Sequence, residues 1–312
     1  MFHRCRRKAV RNGLDCYGAL MRLHVVDGTF ELYRAHFSRR PERVAADGTD
    51  VKATLGVMDS LLALFSDPRE QATHIAVAFD NPIESFRNDL FVDYKTGDGM
   101  EPALAAQMDL VEEAVKALGI VVWSMDRFEA DDALATAANR WREAFTQVRI
   151  MTPDKDLGQC VAGSKIVQVD RIRNRVIDED GVRTRNGCAP TSIPDWLALV
   201  GDSADGIPGI PGFGAKTAGK LLTVYGSIEA IPDNCEDWSL PVRGAPRLAA
   251  TLYAHRDEAR LYRALATLAT NVPLEEDLDD LRWRGADRTL YQRVSERLGN
   301  WTPKPVRWRP AR

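Results

Sequence analysis

Apolar, β-branched residues come in four short runs, LHVVDG (23–28), HIAVAFD (74–80), GIVVWS (119–124) and VRIMTPD (148–154). Between them, apolar positions recur at helical spacing in TLGVMDSLLALFSD (54–67), QMDLVEEAVKALG (107–119) and DDALATAANRWREAF (131–145). SKIVQVD (164–170) reads as one further strand. Strands that alternate with helices predict a mostly parallel sheet covered on both faces, an α/β fold. From about residue 190 the pattern turns helical with Gly and Pro breaks, and DEARLYRALATLATN (257–271) predicts an amphipathic helix. The tail WTPKPVRWRPAR, residues 301–312, is Pro-rich and basic and predicts an extended arm.

Acids punctuate this pattern. Three strands run straight into one: Val26 into Asp27, Phe79 into Asp80, and Ile150 toward Asp154. One strand-final Asp is more often a helix N-cap than anything else. Three of them, delivered to the carboxyl edge of one sheet, are placed where open α/β folds build their sites. FEADDALA then puts Glu129, Asp131 and Asp132 into four positions, with no cation between them. TPDKDL adds Asp154 and Asp156, and GDSADGIPG adds Asp202 and Asp205. A helix amino end favours negative charge by at most about 1 kcal/mol, far less than the repulsion among crowded carboxylates. Cations must neutralise them, and oxygen-only ligands select hard ions such as magnesium or manganese. Two such ions would clamp the attacking and leaving oxygens of a phosphodiester. The five His show no metal-ligand spacing, and nothing in the chain suggests a nucleophile triad.

Composition changes this picture in three ways. No apolar run reaches 18 residues, so no membrane span is expected. Five scattered Cys without CxxC spacing argue for a reducing compartment, and the chain is expected in the cytoplasm. The net charge of −3 counts against a nucleic-acid partner, until the nine candidate ligands are removed from the 45 acids, leaving 36 against 42 Lys and Arg. Residues 1–20 are basic without a continuous apolar core, and read as a disordered arm or an over-extended gene start before Met21, with an organellar presequence as a third alternative.

The segment GDSADGIPGIPGFGAKTAGKLLTVYG (201–226) lacks the adjacent Gly-Lys of a Walker A loop and a clean G-x-G-x-x-G. It reads instead as a hairpin between two helices, with Gly212 to Gly214 as the tight turn. Its outward amides, with Thr217, Lys216 and Lys220 beside them, would grip a duplex backbone without reading its sequence.

Taken in order, VVDGTFELYRAHF, AVAFD, FRNDLFVDYK, FEADDALA, TPDKDL and VGDSADGIPGIPGFGAKTA resemble the 5′ nuclease family, over about residues 22–300. That family includes the 5′–3′ exonuclease domain of bacterial DNA polymerase I, phage 5′ nucleases and flap endonucleases. The resemblance implies a PIN-like core over residues 21–190, with a helical arch at about 81–105. It also implies a helix–three-turn–helix subdomain over 191–300. Asp27, Asp80, Glu129 and Asp131 would serve one metal ion with Asp132 near the pair. Asp154, Asp156, Asp202 and Asp205 would serve the second, and Gly212 to Gly214 would supply part of a potassium site. Arg87 and Lys95 match basic residues of the arch, and Lys95 is the expected contact to the scissile phosphate. The sequence departs from the polymerase-type Tyr-Lys-x-x-Arg, since Asp98 stands where the Arg would be. Replacing Asp98 by Arg is therefore expected to raise the cleavage rate. The implied activity is that of a monomeric, structure-selective 5′–3′ exonuclease and flap endonuclease acting on DNA in replication and repair. Two alternatives are a branched-DNA-binding module that cuts slowly and an RNA-directed PIN-type ribonuclease.

Overall fold

The computed structural model describes residues 21–310. The expectations for residues 1–20 lie outside the described residues. The chain opens with β1 (Arg22–Asp27), α1 (Gly28–His36), α2 (Lys52–Ser66) and β2 (His74–Asp80). Two short helices, α3 (Phe86–Leu90) and α4 (Pro102–Ala105), precede α5 (Met108–Ala117), β3 (Val121–Met125) and α6 (Ala130–Trp141). Then come β4 (Gln147–Met151), β5 (Ile166–Asp170), β6 (Arg175–Ile177) and α7 (Glu179–Asn186). The rest is helical: α8 (Ile193–Val200), α9 (Ala215–Tyr225), α10 (Ala245–Ala254), α11 (Arg256–Ala266) and α12 (Arg288–Arg297).

The six strands form one sheet in the order β3-β2-β1-β4-β5-β6, parallel except for β6. The two-residue alternation of a strand sends Val26 of β1 to one face and Leu23 and Val25 to the other. The first face is covered by apolar residues of α1, α2 and α5, the second by the alanine-rich inner side of α6. With β1 in the middle and β2 and β4 beside it, the carboxyl ends carrying Asp27, Asp80 and Asp154 become neighbours. Gly28 is required where α1 leaves β1. A Cβ there would lie 2.5 Å from the Phe79 ring and 2.7 Å from the Ala78 carbonyl oxygen.

A separate apolar cluster joins α8, α9, α10 and α11, with Tyr94 inserted from the first unit. The segment expected as a helical arch, 81–105, holds two helices of a single turn or little more, and the chain between them lies on the helical unit. Tyr94 is buried there, the Lys95 amide donates to the Asp205 carbonyl at 3.2 Å, and Gly206 packs against the Asp93 carbonyl. The helical subdomain does not run to residue 300. Leu268, Val272, Leu274 and Leu281 return to the α6 face of the sheet, and Trp283, Tyr291, Val294 and Leu298 to the opposite face. Nor is the tail a free arm. Trp308 packs edge-on against Tyr291, and Ala286 and Trp308 form a parallel bridge. Among the described residues no helix is long and apolar enough to cross a membrane.

Candidate metal centre and nucleic-acid interface

The backbone fixes one oxygen of most of the clustered acids. Asp27 is indeed the N-cap of α1: its Oδ1 accepts from the Phe30 amide at 2.8 Å, while Oδ2 accepts from Thr152 Oγ1 at 3.0 Å. Asp80 Oδ1 accepts from the Ala130 amide (2.7 Å), which ties the end of β2 to the start of α6. Asp154 Oδ1 accepts from the Asp156 amide (2.9 Å), and Asp202 Oδ1 from the Ala204 amide (3.1 Å). Each carboxylate is thus oriented by local geometry before any ligand arrives.

A cavity of about 420 Å³ opens among Asp27, Asp80, Asp131, Asp154, Asp205 and Lys95. Beside it Asp156, Asp202 and Asp205 each offer an oxygen within 4.8 Å of the others. Burial pushes the Asp27 carboxyl up to about 7, helped by the charges of Asp80 and Asp154. Burial first, then neighbouring acids, likewise raise Asp131 and Asp156 well above the ordinary carboxylate range. Asp156 Oδ1 is buried with no hydrogen-bond partner among the described residues. A buried carboxylate oxygen left alone is costly, and an all-oxygen donor set of this kind fits hard divalent cations. The Asp156, Asp202 and Asp205 oxygens therefore fit such an ion, and Asp27, Asp80, Asp131 and Asp154 line the cavity beside it together with Asp205.

Two of the expected site residues are placed elsewhere. Arg87 is fully buried rather than facing a substrate strand. Its guanidinium forms a bidentate pair with Asp132, both bonds 2.8 Å, and also donates to the Leu265 and Thr267 carbonyls. Asp132 does not line the cavity: its oxygens accept from Arg87, from the Glu129 amide at 3.0 Å and from the Ala269 amide at 2.8 Å. The pair bolts α3, α6 and the end of α11 together. Glu129 sits between the two arrangements. Ser85 Oγ donates to it at 2.7 Å, Lys95 Nζ lies 3.0 Å away and Arg87 3.3 Å. Burial would raise its carboxyl, but Lys95 and Arg87 outweigh this and hold it below the ordinary range.

Lys95 lies inside the site, 3.3 Å from Asp205 as well as 3.0 Å from Glu129. Asp98 is exposed on the same segment. Sequence reasoning overlooked Thr152, Ser85 and Tyr94, whose hydroxyls orient Asp27 and Glu129. Ser85 had a legible signal, the capping box Ser85-x-x-Asn88 at the start of α3.

On the helical unit, Gly214 is the N-cap of α9 and has no side chain of its own to satisfy the first amides. Gly212 holds a φ of +90°, the left-handed turn that aims the loop outward. Lys216 and Lys220 are exposed and Thr217 half-buried. With Thr184, Arg185, Asn186 and Gly187 of α7 and its C-cap, the lysines line a cleft of about 460 Å³. Arg185 was not anticipated. It donates to the Lys155 carbonyl at 3.2 Å, which connects this basic cleft to the acid cluster.

Residues 22–187 match the family model of the 5′-3′ exonuclease N-terminal resolvase-like domain, and residues 188–289 that of the 5′-3′ exonuclease C-terminal SAM fold. The chain belongs to the 5′-3′ exonuclease family. A 5′-3′ exonuclease from Aquifex aeolicus is 33% identical over 276 residues, covering 88% of this chain and 91% of the relative. DNA polymerase I of Pseudomonas aeruginosa is 37% identical over 268 residues, of which the chain spans only 28% of the polymerase's length. Among solved structures, a T5 5′-exonuclease mutant superposes with a TM-score of 0.62 at 17% identity, over 89% of this chain and 98% of that one. The catalytic core of Rad2 in complex with a DNA substrate gives 0.56 at 15% identity, over 91% and 89%. These two likenesses speak for the fold: a resolvase-like α/β unit carrying a SAM-like helical unit.

Proposed function

We propose that this 5′-3′ exonuclease family member is a structure-selective nuclease that hydrolyses DNA phosphodiester bonds at 5′ flaps and 5′ ends next to duplex. The observation that carries this reading is the convergence of Asp27, Asp80, Asp131, Asp154 and Asp205 with Lys95 around one cavity. The Aquifex aeolicus relative, named a 5′-3′ exonuclease, the T5 5′-exonuclease and the Rad2 catalytic core in complex with a DNA substrate support it.

Asp27, Asp80 and Asp131 would hold one divalent ion, and Asp156, Asp202 and Asp205 the other, with Asp154 between them. Magnesium is the expected ion, and manganese would substitute. When bound, the pair supplies charge neutralisation for the attacking and leaving oxygens of an in-line displacement. The protein's own part is orientation. The Phe30, Ala130 and Ala204 amides fix the carboxylates, and the Lys95 ammonium offers donors to a phosphate oxygen at the cavity mouth. The Gly212–Gly214 turn with Lys216, Thr217 and Lys220 would hold the duplex backbone, and a potassium ion at that turn is part of the proposal. The chain would work as a monomer in the cytoplasm, at the nucleoid.

The test is cleavage of a labelled 5′-flap DNA with magnesium, beside Asp131→Asn and Asp156→Asn. Cleavage by the native chain and a loss of at least about a hundredfold in each variant is expected. Tight DNA binding without cutting would favour a binding module, and cutting confined to an RNA version would favour a ribonuclease.

A further inference from the structure

The sequence places a lysine between two ligand acids, Asp154-Lys155-Asp156. Its side chain does not extend into solvent as a loop lysine would. The ammonium reaches across to Asp202 Oδ2 in a short ion pair, with only about a third of the side chain exposed. Asp202 Oδ1 is already taken by the Ala204 amide. Both oxygens of this acid are therefore occupied from within the protein.

The three acids of the second group are not treated alike. Asp202 is held by Lys155 and Asp205 by Lys95, while Asp156 Oδ1 has no hydrogen-bond partner among the described residues. The two lysines also differ. Lys95 is anchored between Glu129 and Asp205, and its own amide is bonded to the Asp205 carbonyl. Among the described residues Lys155 has the one ion-pair partner and a more exposed stem, so its side chain can withdraw without breaking a second ion pair.

We propose that Lys155 is a built-in competitor for the second divalent ion: an ion that binds Asp202 does so against the charge of the Lys155 ammonium, and this competition sets the ion concentration at which the site fills. The inference rests on the two-ion reading given above. Physically, a fixed unit charge a few ångströms from a cation site lowers its affinity for any cation, and does so strongly where water is partly excluded. The lysine would keep the acid group from repelling itself when ion-free, and make full occupancy depend on a second favourable event such as arrival of a substrate phosphate. The displaced ammonium would then have an anionic partner.

The experiment measures manganese binding to the whole chain without DNA, by calorimetry and by the electron paramagnetic resonance of free manganese. Native protein, Lys155→Met, Lys155→Arg and the double variant Lys155→Met/Asp202→Asn are compared, with melting curves to confirm folding. Lys155→Met is expected to tighten the weaker of two sites by about tenfold. Lys155→Arg, which keeps the charge, should restore weak binding, and adding Asp202→Asn should abolish the gain. Unchanged or weaker binding in a folded Lys155→Met protein would overturn the inference while leaving the two-ion reading intact. Native protein that takes up no manganese would overturn both.

Discussion

At the residue scale, the same charge type does opposite work at two nearby positions. Arg87 and Lys95 both come from the FRNDLFVDYK segment, yet Arg87 is buried against Asp132 and Lys95 borders the acid cavity. Removing one partner of a buried, hydrogen-bonded pair leaves an uncompensated charge, at a cost of about 3–5 kcal/mol. Arg87→Ala should therefore lower the melting temperature sharply, and pairing it with Asp132→Ala should recover part of the loss. Lys95→Ala, measured with magnesium present, should retain its fold and lose about a hundredfold in cleavage rate. Calorimetric melting next to single-turnover cleavage separates the two; equal melting losses would remove the distinction. The sequence could not have sorted them. Arg87 and Asp132 lie 45 positions apart, and the third party to their network, the Ala269 amide, lies 137 positions from Asp132. Local pattern carries no sign of such a contact, whereas Asp27 and Asp80 were legible because a β-branched run ends directly in each.

At the element scale, five parallel strands were readable from their apolar runs, and α2, α5 and α6 from helical spacing. β6 was not, because Arg175–Ile177 is short and largely exposed at the sheet edge, with no apolar run to mark it. The returning segment after α11 was also missed. Its buried residues, Leu268, Val272, Leu274, Leu281 and Trp283, are spaced among Pro and acids with neither a two- nor a 3.6-residue period. Trp283 shows what this segment does: its ring stacks on Phe65, its Nε1 donates to the Leu118 carbonyl at 2.9 Å, and Arg307 lies over its other side. Trp283→Ala should destabilise by about 3–5 kcal/mol, since it removes a large buried ring and strands a carbonyl. Denaturant unfolding checks this, and a change below about 1 kcal/mol would show that the segment is only loosely attached. The course of segment 81–105 was hidden for a related reason. Tyr94, an apolar ring with a polar tip, finds a better place in the helical unit's core and against Glu129 than on an isolated helix in water.

At the scale of the whole molecule, the site stores electrostatic tension that ions relieve. Asp27 is raised to about 7 in the fold from an ordinary value near 3.8, and Asp131 and Asp156 are raised as well. A raised carboxyl pKa means that the folded state holds protons the unfolded chain has released, so its contribution is full below about pH 4 and is lost as pH climbs through 7. In chelator, stability should therefore fall between about pH 4 and pH 7, by roughly 5–10 °C in melting temperature. Magnesium should restore it, and by more at pH 8 than at pH 5, because binding needs the deprotonated acids. A flat melting profile in chelator would mean that the carboxylates do not feel one another. The parallel sheet that brings these acids together was legible in the sequence; the burial that gives them their shifts was not, because it comes from loops folded over the cavity. The most direct measurement is anomalous scattering from crystals soaked in manganese. The account predicts two peaks, one bounded by Asp27, Asp80 and Asp131 and the other by Asp156, Asp202 and Asp205. No peak, or peaks only at surface acids such as Glu275 and Asp277, would contradict it.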